Sequence, residues 1–188
     1  MGRSFGRRIR LIDSQTDIRR PIHLCFRFSS TMSDTVRLPP DTLLAAAYIL
    51  QRCRALDVSV NVTKTNKLLY ICYGVCLAKP GFRLCDENPL TGPYGPVFRR
   101  VHSFMNRMGL HALENFNTES LHNELPKDVI ELLDRTIALF GRFASNQLVN
   151  WTTKKESPWA AVSGNGQRIN EQIPDRLTAQ YFRSEVLR

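Results

Sequence analysis

A mainly α-helical fold is what this 188-residue sequence predicts: a compact orthogonal bundle of about six helices, with at most a small β-hairpin near residues 82–92. Three observations carry that expectation. Apolar residues recur at three-and-four spacing in several windows, as in Val129, Ile130, Leu133, Ile137 and Phe140. The windows are separated by helix start and stop signals, among them Pro39-Pro40-Asp41, Lys79-Pro80-Gly81 and Ser157-Pro158. Alternation of period two, the mark of a half-buried strand, is confined to Phe82 and Leu84. A hydrophobic fraction of 43% over this length suffices for one core, so residues 36–188 read as a single domain.

Taken in order, Asp41 can cap a first helix carrying Leu43, Leu44, Ala47, Tyr48 and Leu50 and ending near Ala55. Thr63 or Thr65 can cap a second, which runs to Ala78 and stops at Pro80, where the hydrogen-bond ladder loses its donor. That helix is apolar nearly all round, which demands neighbours on several sides; only its amino end, with Lys64, Asn66 and Lys67, is expected to meet water. Phe82 to Leu90 reads as an extended segment or small hairpin. Pro96 fits the first turn of a third helix, from Val97 to Met108, with Phe98, Val101, His102, Met105 and Met108 as its apolar stripe. Leu110 to Leu125 reads as loop. Pro126-Lys127-Asp128 opens a fourth helix that Gly141 ends; Ser145 and Ser157 can cap two short ones, and a last helix runs from Pro174 through Arg183.

The formal charge of +9 is unevenly placed. Residues 1–31 hold seven arginines against Asp13 and Asp17, a net of +5, which leaves +4 for everything after Thr31. Without sustained hydrophobic period, residues 1–35 are expected to form a basic, disordered tail, and the change of composition at Met32 suggests an over-extended start codon. The longest uncharged apolar run, Leu68 to Ala78, is short of the roughly 20 residues that cross a bilayer, and no cleavable apolar signal opens the chain. A cytoplasmic protein without membrane contact is expected. Cys25, Cys53, Cys72, Cys76 and Cys85 form no CxxC pair and none stands beside histidines at zinc-ligand spacing, so they read as reduced, buried thiols.

Catalytic patterns are missing. His23, His102, His111 and His122 lack the spacing that places two metal ligands on one helical face, and no nucleophile elbow or phosphate-binding glycine loop is present. The pair Asp86-Glu87 reads as solvated surface rather than an acid and base in opposed environments. No enzyme, metal or cofactor is therefore expected. Arg99, Arg100 and Arg107 on the third helix make a groove-reading DNA binder conceivable, although charges on such a face ordinarily solvate the helix.

Two blocks stand apart: Lys67-Leu68-Leu69-Tyr70, and Tyr94-Gly95-Pro96-Val97. With Leu77, Leu148, Thr152 and Ser157-Pro158-Trp159, they follow an order and spacing that resembles the Panacea-domain, or SocA-like, antitoxin family over roughly Leu43 to Phe182. The resemblance implies a mainly helical fold and a type II antitoxin role: neutralising a toxin encoded beside it by direct binding, in one type of member by delivering it to a protease. A regulator bound to its own operator is the alternative, and a second copy of the chain is a further candidate partner. Two positions depart from the family's common pattern: Gly92 replaces a tryptophan, and Thr153 replaces a histidine that serves either a partner surface or a buried hydrogen bond.

Physically, Lys67, Leu68, Leu69, Gly95, Pro96 and Val97 read mainly as structural. Tyr70 and Tyr94 can bury their rings while their hydroxyls tie helix to turn, and Gly95 supplies a backbone angle that other residues resist. Candidate partner-contacting residues are Tyr70, Tyr94, Arg99, Arg100 and Trp159, the last as either core anchor or interface hot spot.

Overall fold

The protein, described here as a computed structural model over residues 38–186, is a helical bundle built around one buried helix. The tail expected at residues 1–35 and the question of its start codon lie outside the described residues. Helix α1 (Thr42–Ala55) begins where Asp41 accepts the backbone N–H groups of Leu43 and Leu44. Helix α2 (Val62–Ala78) is capped by Asn61, whose side chain accepts from the Lys64 N–H at 2.8 Å. Thr63 and Thr65 thus lie inside the first turn instead of capping it. Every residue of α2 from Lys64 to Ala78 is buried, as its lack of a polar face requires, with α1, α3, α6, α7 and α9 packed around it.

After α2 the chain runs extended from Phe82 to Pro89 and then forms the hairpin β1 (Leu90–Gly92) and β2 (Gly95–Val97), with Leu90 opposite Val97 and Gly92 opposite Gly95. Pro96 therefore lies in a strand, not in the first turn of a helix. Its fixed φ suits both, and here it stands opposite Thr91, where its missing N–H costs no ladder bond. Helix α3 (Arg99–Met108) starts two residues after the end of β2, with Phe98 buried at its cap. Of its expected stripe Val101 and Met105 are buried, while His102 and Met108 are exposed.

Residues 110–125 correct the expected loop. Helices α4 (Leu110–Glu114) and α5 (Glu119–Glu124) form there, each too short to display a period in sequence. They are held from outside: Gln51 on α1 donates to the carbonyls of Glu114 and Phe116 and accepts from the Thr118 hydroxyl. Helix α6 (Lys127–Phe140) follows; α7 (Ser145–Thr152) is preceded by Ala144, not capped by Ser145. Helix α8 (Pro158–Ser163) has Ser157 as its cap and left-handed Gly164 at its end, and α9 (Asp175–Glu185) closes the core. The described residues thus hold nine helices and one two-stranded antiparallel sheet.

The α2–α9 contact depends on Gly74. A Cβ there would lie 2.3–2.6 Å from three atoms of the Phe182 ring, so the glycine is the recess that receives it. Phe182 also meets Tyr70, Trp151 and Tyr181 edge-on, at centroid distances of 5.7, 5.5 and 5.8 Å. Cys53, Cys72, Cys76 and Cys85 are free and buried, with burial pushing each thiol up. Among the described residues no helix is long and apolar enough to cross a membrane.

Candidate functional site

The two sequence blocks meet at the amino end of α2. Lys64, Asn66 and Lys67, expected at the wet end of the helix, are all buried there, Asn66 and Lys67 beneath the hairpin and the start of α3. The Asn66 side-chain oxygen accepts the Phe98 N–H at 3.0 Å, and Lys67 Nζ donates to the Pro96 carbonyl at 2.9 Å. These two side chains take up the N–H of the residue that precedes α3 and a β2 carbonyl that no third strand takes up. The opposite strand is held by Thr91: its backbone bonds Glu171 and Asn170, and its hydroxyl donates to the Arg168 carbonyl.

Gly95 is where the blocks touch. Its φ of +98° suits glycine alone, and a Cβ would lie 3.0 Å from the Thr153 methyl and 3.1 Å from both Lys67 Nζ and Thr152 Oγ1. The lysine, the glycine-proline turn and the threonine pair are therefore one packed unit. Thr153 donates its hydroxyl to the Val149 carbonyl at 2.8 Å, a bond internal to its own helix. Trp159 completes the unit by donating its indole N–H to the Gly92 carbonyl at 3.0 Å.

Above this unit lies an open groove of about 440 Å³. Lys67 and Val97 line its floor; Tyr94, Arg99, His102 and Ile169 stand around it. No carboxylate is among the lining residues. Burial pulls the Lys67 ammonium down to about 7.

The candidate residues divide. Leu68, Leu69 and Tyr70 are core; the Tyr70 ring is buried, its hydroxyl lies beside Thr178, and burial pushes that hydroxyl up. Trp159 is 7% exposed and packs on Ala160 and Ile173, the placing of an anchor. Tyr94 departs from the expected buried ring: it is 71% exposed at the hairpin tip, because the tight turn between Gly92 and Gly95 points it away from the bundle.

Arg100 is tied internally. It forms ion pairs with Asp41, Asp86 and Glu87, bridging α1, the extended segment and α3, and Glu87 also accepts the Arg100 backbone N–H. The side-chain hydrogen bond to Asp41 is the main force raising the Arg100 guanidinium. The Asp86-Glu87 pair is thus part of this tie rather than idle surface. Arg99, its neighbour in sequence, points to the groove and among the described residues donates to the Asn170 side chain alone, at 3.1 Å.

Sequence reasoning missed Asn66, His102, Ile169 and Asn170 as groove residues. Ile169, an exposed apolar residue in a polar loop, was the readable signal. Among the described residues no group of three or more His, Cys, Asp or Glu could hold a metal ion.

A helical domain with a cation-bearing groove over a glycine-proline hairpin is the class of protein so defined. Comparison makes it particular. The family described as Antitoxin SocA-like, Panacea domain, matches residues 66–160, half of the chain, and the protein belongs to that family. It is similar to Antitoxin SocA of Caulobacter vibrioides (strain NA1000 / CB15N), at 24% identity over 155 residues, covering 76% of this chain and 82% of that protein. No solved structure matches it. The matched segment runs from Asn66 to Ala160, so it begins and ends on the unit that packs Lys67, Gly95 and Trp159 together.

Proposed function

We propose that this protein is the antitoxin of a type II-like pair, acting in the cytoplasm by binding a toxin encoded beside it and occluding the toxin's working surface. Membership of an antitoxin family carries the proposal. The exposed Tyr94 and Ile169, beside an arginine without an acidic partner among the described residues, give it a surface of the composition that anchors protein interfaces. An interface of ordinary size covers roughly 800 Å² on each partner, with affinity concentrated in a few such anchors.

The test is co-expression with the neighbouring reading frame. The neighbour alone should arrest growth, the pair should restore it, and the two proteins should purify as a stoichiometric complex. A harmless neighbour, or a toxic one that this protein neither binds nor relieves, refutes the proposal. Delivery to a protease would show as accelerated turnover of the toxin only when this protein is present. The operator-binding alternative is weakened by Arg100, whose charge three carboxylates already engage.

A further inference from the structure

We infer that the hairpin groove is the cleft in which the neutralised protein docks a short extended segment carrying a carboxylate. The acid would meet Arg99 and the Lys67 amine, and a neighbouring apolar side chain would lie on Tyr94 and Ile169. The inference rests on the reading of the protein as a toxin neutraliser and names the chemistry of the contact.

Charge is the first support. The groove holds Lys67, Arg99 and His102 and no Asp or Glu, although the domain has acids close by. Those acids are committed elsewhere: Asp41, Asp86 and Glu87 converge on Arg100. Of two adjacent arginines, one is therefore saturated with carboxylates, and the other has, among the described residues, a single neutral partner, Asn170. An incoming carboxylate would give Arg99 the fork of hydrogen bonds that its neighbour already has.

Lys67 is the second support. It is 3% exposed, lines the groove, and uses one of its three possible N–H donors on Pro96. A buried amine facing a cavity with no acid beside it lacks a counter-charge, and an anion in the cavity supplies one. Burial holds its titration near 7, so carboxylate binding there must draw in a proton.

Shape selects the occupant. A volume of about 440 Å³ falls in the range of roughly 300–1,000 Å³ usual for ligand pockets, enough for a few residues. The hairpin that forms one wall is stiffened by Pro93, Pro96 and the Lys67 and Trp159 hydrogen bonds, so little ordering remains to be done on binding. A nucleic acid would bring its phosphates up to the acids around Arg100. Residues 1–31, with net charge +5, have the wrong sign for this groove.

The experiment titrates the purified full-length protein with the purified neighbouring toxin by calorimetry. Arg99→Glu and Tyr94→Ala should each raise Kd at least tenfold without changing the circular dichroism spectrum or Tm, while Arg107→Glu, on α3 but outside the groove, should not. At pH 7.5, binding enthalpies measured in buffers of different ionisation enthalpy should reveal uptake of a fraction of a proton. Both groove variants binding the toxin like the wild type would overturn the docking cleft and leave the antitoxin reading standing. So would loss of a homodimer or of duplex DNA retardation in those variants with toxin affinity intact. No binding of the neighbour by the wild type removes the antitoxin reading itself.

Discussion

Gly74→Ala is the substitution that most directly probes how α9 is held against the central helix. In isolation the change favours a helix by up to about 1 kcal/mol, because alanine loses less backbone entropy than glycine. Position 74 reverses the sign. The added Cβ would stand 2.3–2.6 Å from three Phe182 ring carbons, whereas carbon atoms pack best at about 3.5–4.0 Å, so the ring must retreat by roughly 1 Å or more. Its retreat is opposed by Tyr70, Trp151 and Tyr181, which grip it edge-on. Forced overpacking of this kind costs about 1–3 kcal/mol, and α9 moves as a unit or the ring leaves its rotamer. The expected net effect is a loss of about 1–2 kcal/mol, read as a lower urea midpoint at unchanged m-value. Phe182→Leu, destabilising alone, should in combination recover part of the Gly74→Ala loss, giving a coupling of about 1 kcal/mol in a double-mutant cycle. A Gly74→Ala protein as stable as the wild type would show that α9 does not depend on the recess.

Lys67→Met should stabilise the fold at pH 6 and flatten its pH dependence. The folded amine titrates near 7, below the ~10.4 of a free lysine, so the unfolded chain binds more protons between those values and wild-type stability rises with pH across that window. Below about 7 the full penalty of charging the buried amine applies, at most roughly 5 kcal/mol from the shift and less after loss of the Pro96 bond. Denaturant titrations from pH 6 to 10 would check it, and parallel curves for the two proteins would count against it. Gly95→Ala should cost about 1–3 kcal/mol, since a positive φ and the Lys67–Thr152–Thr153 contacts both resist a methyl group; thermal unfolding reads it directly. Trp159→Phe keeps the apolar anchor but removes the indole hydrogen bond to the Gly92 carbonyl, an expected loss of about 1 kcal/mol by the same assay. Arg100→Ala removes the cation that three partly exposed acids share while Asp41 and Asp86 keep their other hydrogen bonds, so the loss should be no more than about 1 kcal/mol and should shrink in high salt, with toxin affinity unchanged.

Some helix boundaries were legible from a cap or breaker, although Thr63, Thr65, Ser145 and Pro96 did not play the parts their types suggested. Asp41 starts α1, Pro80 lies just past the end of α2, and Ser157-Pro158 opens α8, because each of these residues acts on backbone groups within one turn. The short helices α4 and α5 were not legible. What orders them is Gln51, more than sixty residues away from the carbonyls it binds, and no local pattern encodes such a partner. The strand place of Pro96 was hidden for a related reason: proline's fixed φ serves a helix start and a strand equally, and the pairing with Thr91 decided between them.

The site divides along the same line. That Lys67, Gly95 and Trp159 belong to one module could be read from their order and spacing, and Gly95 does carry the positive φ that its type suggests. Their meeting at one point, with the lysine amine buried against a strand carbonyl and the tyrosine turned outward, depends on the hairpin lying across the amino end of α2. Periodicity ranks residues by the face of their own helix. Burial is set by whatever covers that face, and for Lys64, Asn66 and Lys67 the covering chain comes from elsewhere in the sequence. So the all-round apolar character of α2, a property of its own residues, was sufficient to name it the central helix. The groove, the arginine facing it beside the carboxylate-bound one, and the buried amine arose only when distant segments were brought together.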